Sequence, residues 1–410
     1  MAKHIVIVAT LDTKELEADY VRKLIEKRGH KPLIIDCGVM KDPALEPDIS
    51  RHAVAQAANT HIEEILKKSD KNHAIRTMTQ GAVKTAKALF AEGKLDGIIS
   101  MGGVQGTFIG TAVMQALPFG VPKVMISAVA NGQATFGPFV GIRDIMILHS
   151  VADVLGLNAV TRRVLAEGVG AVVGMVEMDY GSEDSSKPAV ALTSAGVTTP
   201  CANRARQLLE DLGYEVIAFH CNGIGAQAME EMADSGRLAG IFDLSPHDIT
   251  DYLFGGIMPA TGKRLLASCR RGVPQVLAPG CADIVLYGPV EDVPPEILKR
   301  KHVIHNPIHT HVKANHQEMF ALGQFIAERL AESKGYATVL VPGRGFSQLN
   351  RVGGPIYEPE SDAGFLEGLE AEFKKFPSKR TIIKVVDMHI NDPEFAVAAV
   401  KELHALIQKS

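Results

Sequence analysis

Short β-branched apolar runs alternate with longer stretches of helical periodicity over nearly the whole chain. "HIVIVA" (4–9), "PLIIDC" (32–37), "LDGIIS" (95–100), "KVMIS" (123–127) and "IMILHS" (145–150) read as strands, with helices over 14–28, 61–68, 73–92, 106–117 and 157–178. Strands that are apolar on both faces, with helices between them, predict a parallel sheet covered on both sides. The polar "YGSEDSSKP" (180–188) interrupts the pattern and reads as a domain boundary. A second series follows, with strands at 189–194, 215–220, 238–244, 275–280, 338–343 and 381–388 and helices at 200–212, 225–235, 261–271, 315–333, 362–374 and 393–408. The expected fold class is α/β: two Rossmann-like doubly wound domains, 1–180 and 188–410, with largely parallel sheets and an interdomain cleft. No sequence repeat relates the halves, but each opens with a strand, a Thr-rich turn and a helix.

Composition narrows the function more than the fold. The 410 residues exceed one typical core, which agrees with two domains. A net charge of -4 supplies no basic field for nucleic acid, and the absence of Trp argues against base-stacking platforms. No apolar run is long enough to span a bilayer and the N-terminus has no signal-peptide core, so a cytoplasmic location with no membrane partner is expected. Five cysteines with no CxxC spacing fit reduced thiols.

The first candidate chemistry lies in two loops. In a doubly wound sheet, ligands bind beyond the carboxyl ends of the strands, where the strand order reverses. If the order begins 2-1-3, strands 4–9 and 95–100 flank that point, and their exit loops are "ATLDTK" and "MGGVQGT". Gly102, Gly103 and Gly106, with Gln105 between them, let backbone N–H groups approach an anion, and Thr107 opens a helix whose positive end faces it. Thr10 and Thr13 add hydroxyls and Lys14 a positive charge. Asp12 would repel a bare phosphate but could hold Mg2+ directly or through water. The set suits a metal-bearing phosphate or nucleotide. Its structural alternative is a plain helix start, with Asp12 or Thr13 as cap. GGxxGT is not a Walker loop. The aperiodic segment 126–145 adds Asn131, Gln133 and Thr135 as polar contacts, or else forms a loop at a subunit interface.

The second half also carries polar residues at strand ends. Cys201 sits at a helix N-terminus, where a thiol can ionise more readily, but no partner base accompanies it, and a buried structural thiol is the plainer reading. "KHVIHNPIHTHVKANH" (301–316) holds His302, His305, His309, His311 and His316, without a zinc spacing and interrupted by Pro307; a hydrogen-bonded loop is expected there. Asp283 and His305, near expected strand ends, are the acid/base candidates, joined in one cleft by the "HIND" stretch (389–392), whose Asn391 or Asp392 otherwise caps the last helix.

Taken together, "TLDTK" (10–14), "GGVQGT" (102–107), "GVPKVMISAVA" (120–130), "DIMILHSVADVLGLN" (144–158), "GVTTPC" (196–201), "FHCNGIGAQAME" (219–230), "HNP" (305–307), "GGPIYEPE" (353–360) and "HINDPEF" (389–395) resemble an uncharacterised family of bacterial, fungal and plant proteins. That family includes the ATP-binding N-terminal domain of the plant inhibitor of tomato mosaic virus replication. The resemblance covers nearly the whole chain. It implies two Rossmann-like domains, ATP with Mg2+ at Thr10, Asp12, Thr13 and Gly102 to Thr107, and a homodimer; it implies no reaction. The expected function is therefore an ATP-binding protein, extending to an ATP-dependent enzyme if a small polar metabolite binds in the interdomain cleft. The alternatives are a nucleotide-responsive binding module without turnover and a nucleotide-independent enzyme on a sugar or hydroxy acid.

Overall fold

The computed structural model describes residues 1–130, 137–179, 181 and 186–410. The chain divides into two compact units, Met1–Ser182 and Glu183–Ser410. Asn131, Gln133 and Thr135 lie outside the described residues.

In the first unit, β1 (His4–Ala9), α1 (Leu11–Lys27), β2 (Lys31–Asp36), α2 (Arg51–Ala57), α3 (Ile62–Lys67), α4 (Lys71–Ala91), β3 (Gly97–Gly102), α5 (Val104–Gln115), β4 (Lys123–Ser127), α6 (Gly137–Val140), β5 (Met146–His149) and α7 (Ala159–Glu177) follow in order. The five strands are parallel and lie in the order β2-β1-β3-β4-β5. Side chains alternate between the two faces of a strand, and both faces here are apolar. Val6 and Val8 join Ile35, Ile98 and Met125 beneath α2, α4 and α5. Ile5 and Ile7 join Ile99, Val124 and Ile126 beneath α1 and α7. Nineteen-residue α7 begins with a complete capping box from Asn158 and Thr161.

The second unit contains β6 (Ala189–Ser194), α8 (Thr199–Asp211), β7 (Glu215–His220), α9 (Ile224–Asp234), β8 (Leu238–Asp243), α10 (His247–Phe254), α11 (Leu266–Arg271), β9 (Gln275–Leu277), β10 (Ile284–Tyr287), β11 (His302–Asn306), β12 (His309–Lys313), α12 (His316–Ala331), β13 (Ala337–Pro342), α13 (Pro359–Lys375), β14 (Thr381–Val386) and α14 (Pro393–Lys409). Its six-stranded parallel sheet has the order β14-β13-β9-β8-β6-β7. Read from the other edge, this is the 2-1-3-4-5 order of the first unit with one more strand. The unit departs from the expected pattern in several places: α10 and β10 fall outside the expected helices and strands, and the expected helix 261–271 forms only over Leu266–Arg271. The His-rich segment expected as a loop forms the antiparallel pair β11 and β12, which joins β10 in a separate three-stranded sheet. Val312, fully buried on β12 within "HTHVK", supplies the half-buried alternation of a strand.

Candidate functional site

In the first unit the switch point is a crevice. The last residues of β1 and β3, the starts of α1 and α5, the loop after β2 and the start of α4 enclose a cavity of about 650 Å³. Its wall includes Thr10, Asp12, Thr13, Lys14, Gly102, Gly103, Gln105 and Gly106. Thr107 lies behind the wall. It is fully buried, and its Oγ1 sits 2.8 Å from Ser127 Oγ, tying α5 to β4.

The glycines serve different ends. A Cβ on Gly102 would come within 3.0 Å of Gly106 Cα, and one on Gly106 within 2.9 Å of Met101 O. These two let α5 start directly against β3. A Cβ on Gly103 would meet nothing within 4 Å. Its φ of -80° is open to any residue, while its ψ of -148° lies just beyond the ordinary β range. Packing therefore does not require glycine at 103; the space above it belongs to the crevice. Val104, Gln105 and Gly106 occupy the first turn of α5, where backbone N–H groups lack intrahelical acceptors. All three line the cavity.

Across the crevice, the Thr10 and Thr13 hydroxyls lie 3.2 Å apart. Neither Asp12 nor Thr13 is the cap of α1; that position is Thr10, with no side-chain capping bond. The Asp12 carboxylate orders the neighbouring loop instead: Oδ2 accepts from Val39 N at 2.8 Å and Met40 N at 3.0 Å. Asp36 does the same one layer deeper, its Oδ1 accepting from Leu11 N and Gly38 N. Burial raises the Asp36 pKa, against the pull of those two N–H groups. Lys14 forms no ion pair among the described residues, so its charge is available to the cavity. The outer wall is apolar: Val39, Ile65, Ala74 and Ile75, with Met40 and Leu66 both substantially exposed. The crevice sets Lys14 and the N-terminus of α5 beside Asp12 and Asp153, and is apolar along one side.

Sequence reasoning missed this outer wall, which comes from the β2–α2 loop, α3 and α4. Its one available signal is the pair of apolar residues, Met40 and Leu66, in otherwise polar stretches.

The second-unit candidates are not assembled in one place. Asp283 is fully buried, as are Ser347 and Asn350, and Lys313 is 1% exposed. Asp283 Oδ2 accepts from Asn350 Nδ2 at 2.8 Å, with Lys313 Nζ and Ser347 Oγ each at 3.4 Å. Lys313 also bonds Asp362, whose Oδ2 accepts from Asn350. Burial pushes the Asp362 carboxyl up to about 6; Lys313 opposes the rise and Asp283 adds to it. His389 reaches this network through Ser347 O at 3.0 Å, and Asn391 Nδ2 donates to Val197 O. His305 lies elsewhere. It is exposed and stacks on His311, ring centroids 4.7 Å apart, at the hairpin end of β11. Asp283 pairs near Lys313, four residues along β12 from His309, so the two candidates sit at opposite ends of the small sheet, roughly 13 Å apart. Burial and the neighbouring His305, His247 and His309 hold the His311 pKa down to about 4. Cys201 is 1% exposed, and burial pushes its thiol up to about 12, the opposite of activation. Among the described residues, no group of three His, Cys, Asp or Glu side chains is arranged to hold a metal, and no helix is long and apolar enough to cross a membrane.

Residues 3–181 match the model of the uncharacterised protein family UPF0261 N-terminal domain, and residues 187–407 that of its C-terminal domain. The chain belongs to the UPF0261 family. A UPF0261 protein of Clostridium tetani is 36% identical over 411 residues, covering 100% of both chains. One from Rhizobium meliloti is 37% identical over 398 residues, covering 97% of this chain and 98% of that one. The tomato ToMV resistance protein Tm-1(GCR237), from Solanum lycopersicum, is 35% identical over 324 residues, which is 78% of this chain and 42% of the tomato protein. Among solved structures, a Staphylococcus aureus MnaA–UDP co-structure aligns over 68% of this chain and 79% of that one, at 11% identity and a TM-score of 0.23. A likeness that faint supports no functional argument.

Proposed function

We propose that the N-terminal unit is a nucleotide-binding module whose ligand is ATP carrying Mg2+. The observation behind this reading is the crevice itself. The Lys14 ammonium, with no ion pair among the described residues, and the N-terminus of α5 converge at its base, a glycine stands where packing leaves room for a side chain, and an apolar wall lies beside them. Phosphates suit the base, where N–H groups and a cation stabilise negative charge. A purine suits the wall of Met40, Ile65, Leu66 and Ile75. The resemblance to a family with an ATP-binding member favours ATP among nucleotides.

The residues fit Mg2+ only as a passenger of the phosphates. Asp12, Asp70 and Asp153 are the carboxylates on the wall; Asp12 already serves the loop after β2 and Asp70 caps α4, accepting from Asn72 N and His73 N. Mg2+ commonly keeps several waters and one or two carboxylates alongside phosphate oxygens. When bound, it neutralises phosphate charge next to these acids.

Binding without turnover is the reading favoured by the second unit. The two acid/base candidates do not meet, and one of them is sealed beneath its own domain. ATP–Mg2+ at about a hundred times its Kd stabilises the fold by roughly 2.7 kcal/mol in this reading. Thermal unfolding with and without ATP–Mg2+, alongside a phosphate-release assay, tests both halves. The expected result is stabilisation with phosphate release at the background rate. Release well above background, abolished by a crevice substitution, would replace the module with an enzyme.

A further inference from the structure

The C-terminal unit holds a cavity of about 540 Å³ bounded by α9, α10 and the segment leading into α11. Its inner wall is a buried charge cluster. The Arg264 guanidinium, 2% exposed, places Nη2 2.6 Å from Asp243 Oδ2, Nε 3.2 Å from Asp248 Oδ2 and Nη1 3.3 Å from Glu230 Oε1. Glu230 also accepts from the backbone N–H groups of Leu265, Ala267 and Ser268. Asp243 accepts from the Thr193 hydroxyl. Leu265, next to the arginine, is held at a φ of 67°, a conformation that costs a branched side chain energy.

Three carboxylates share one guanidinium, so the cluster is short of positive charge. One atom shows where the shortage falls. Asp248 is fully buried, lines the cavity, and has one carboxylate oxygen, Oδ1, that no described group reaches with a hydrogen bond. A buried acceptor without a donor carries its full desolvation cost. Burial, with Asp243, raises the Asp248 pKa, while Arg264 and His247 pull it down. A metal is a poor fit, since the described carboxylates here are not grouped as a metal cage.

We infer that this cavity is a site for a small molecule bearing a primary ammonium group, which donates to Asp248. An ammonium brings both missing elements, a positive charge and a hydrogen-bond donor. The cavity mouth carries both charges, Lys263 and Arg270 against Glu231 and Asp234, so it accommodates a polar remainder. This site is independent of the nucleotide crevice, which lies in the other unit.

The test uses the full chain with ethanolamine and its neutral counterpart ethylene glycol, read by thermal unfolding and calorimetry. Ethanolamine is expected to bind and stabilise, and ethylene glycol at equal concentration is not. Asp248→Asn should weaken ethanolamine at least tenfold. Thr261→Lys, on the exposed rim of the cavity, should do the same by placing a tethered ammonium at the mouth. It leaves the buried cluster untouched, so it decides the matter if Asp248→Asn fails to fold. Both variants should respond to ATP–Mg2+ as the wild type does. Equal responses to the two probes, no response to ethanolamine, or a response that survives both substitutions would overturn the inference.

Discussion

The two units share one strand order and use its switch point in opposite ways. In the first, the loops after β1 and β3 border an open crevice, with Thr13 and Val104 exposed. In the second, the inner residues of the corresponding loops after β6 and β8 are covered, although Gly196 and Thr199 stay exposed. Thr198, Leu244 and Ser245 are fully buried, and Thr198 Oγ1 lies 2.8 Å from Ser245 Oγ. The chain itself provides the cover. Gly280 N donates to Leu244 O, Gln348 N and Asn391 Nδ2 both donate to Val197 O, and Ile390 is fully buried above them. A Cβ on Gly280 would lie 2.3 Å from Leu244 O, so this cover is packed to contact. Strand order creates the opportunity for a site, and the length and chemistry of the connecting loops decide whether a ligand or the protein fills it.

The charges follow the same division. The first crevice leaves Lys14 without an ion pair among the described residues. The second unit places its own cation, Arg264, against Asp243 at the end of β8. Removing each cation should therefore have different consequences. Arg264→Met strands three buried carboxylates, and breaking such a set typically costs about 3–5 kcal/mol. Urea unfolding should show a loss of that order. A loss below about 1 kcal/mol would mean the cluster is more solvated than its burial implies.

The Asp362 carboxyl gives a pH signature in the second unit. Its folded pKa, about 6, lies above its ordinary value of 3.8. Between these values the native state holds a proton that the unfolded chain has released. Stability from this group is thus full below the unfolded value and is lost as pH rises through the folded one, with a slope of up to about 1.4 kcal/mol per pH unit. Asp362→Asn should flatten that part of the stability profile. A slope unchanged by the substitution would assign the titration to another group.

Within the first unit, glycine substitutions separate fold from ligand. Gly103→Val should lower nucleotide affinity at least tenfold, about 1.4 kcal/mol, with the fold intact. Gly106→Val drives its side chain toward Met101 O and should destabilise the domain itself. Calorimetric binding and denaturant unfolding on both variants make the distinction. Similar behaviour in both would remove the special status of Gly103.

Much of this was legible in the chain. Alternating apolar strands and amphipathic helices fix the α/β class, because both faces of "HIVIVA" and "GIISMG" must be covered. The loops "TLDTK" and "GGVQG" were legible as neighbours because strand order places them at one switch point. Other features depend on contacts between distant segments. Nothing local to Thr107 says that its hydroxyl turns inward to Ser127. Nothing near Asp283 announces Lys313 and Asn350 as its partners, 30 and 67 residues away. The hairpin of β11 and β12 was obscured by Pro307, which sits in its turn rather than in a strand.

The smallest expected effect is the counterpart of the largest. Lys14→Ala removes a cation that no described carboxylate pairs with, so stability should change by no more than about 0.5 kcal/mol while nucleotide affinity falls. A large stability loss would give Lys14 a structural role equal to that of Arg264, and the contrast between the units would fail.

The most direct test of the open-crevice account is titration calorimetry of ATP–Mg2+ into the full chain and into Gly103→Val. The account predicts one nucleotide per wild-type chain and binding at least tenfold weaker in a variant that unfolds at the wild-type temperature. No binding to well-folded wild-type protein, or equal affinity in the two chains, would contradict it.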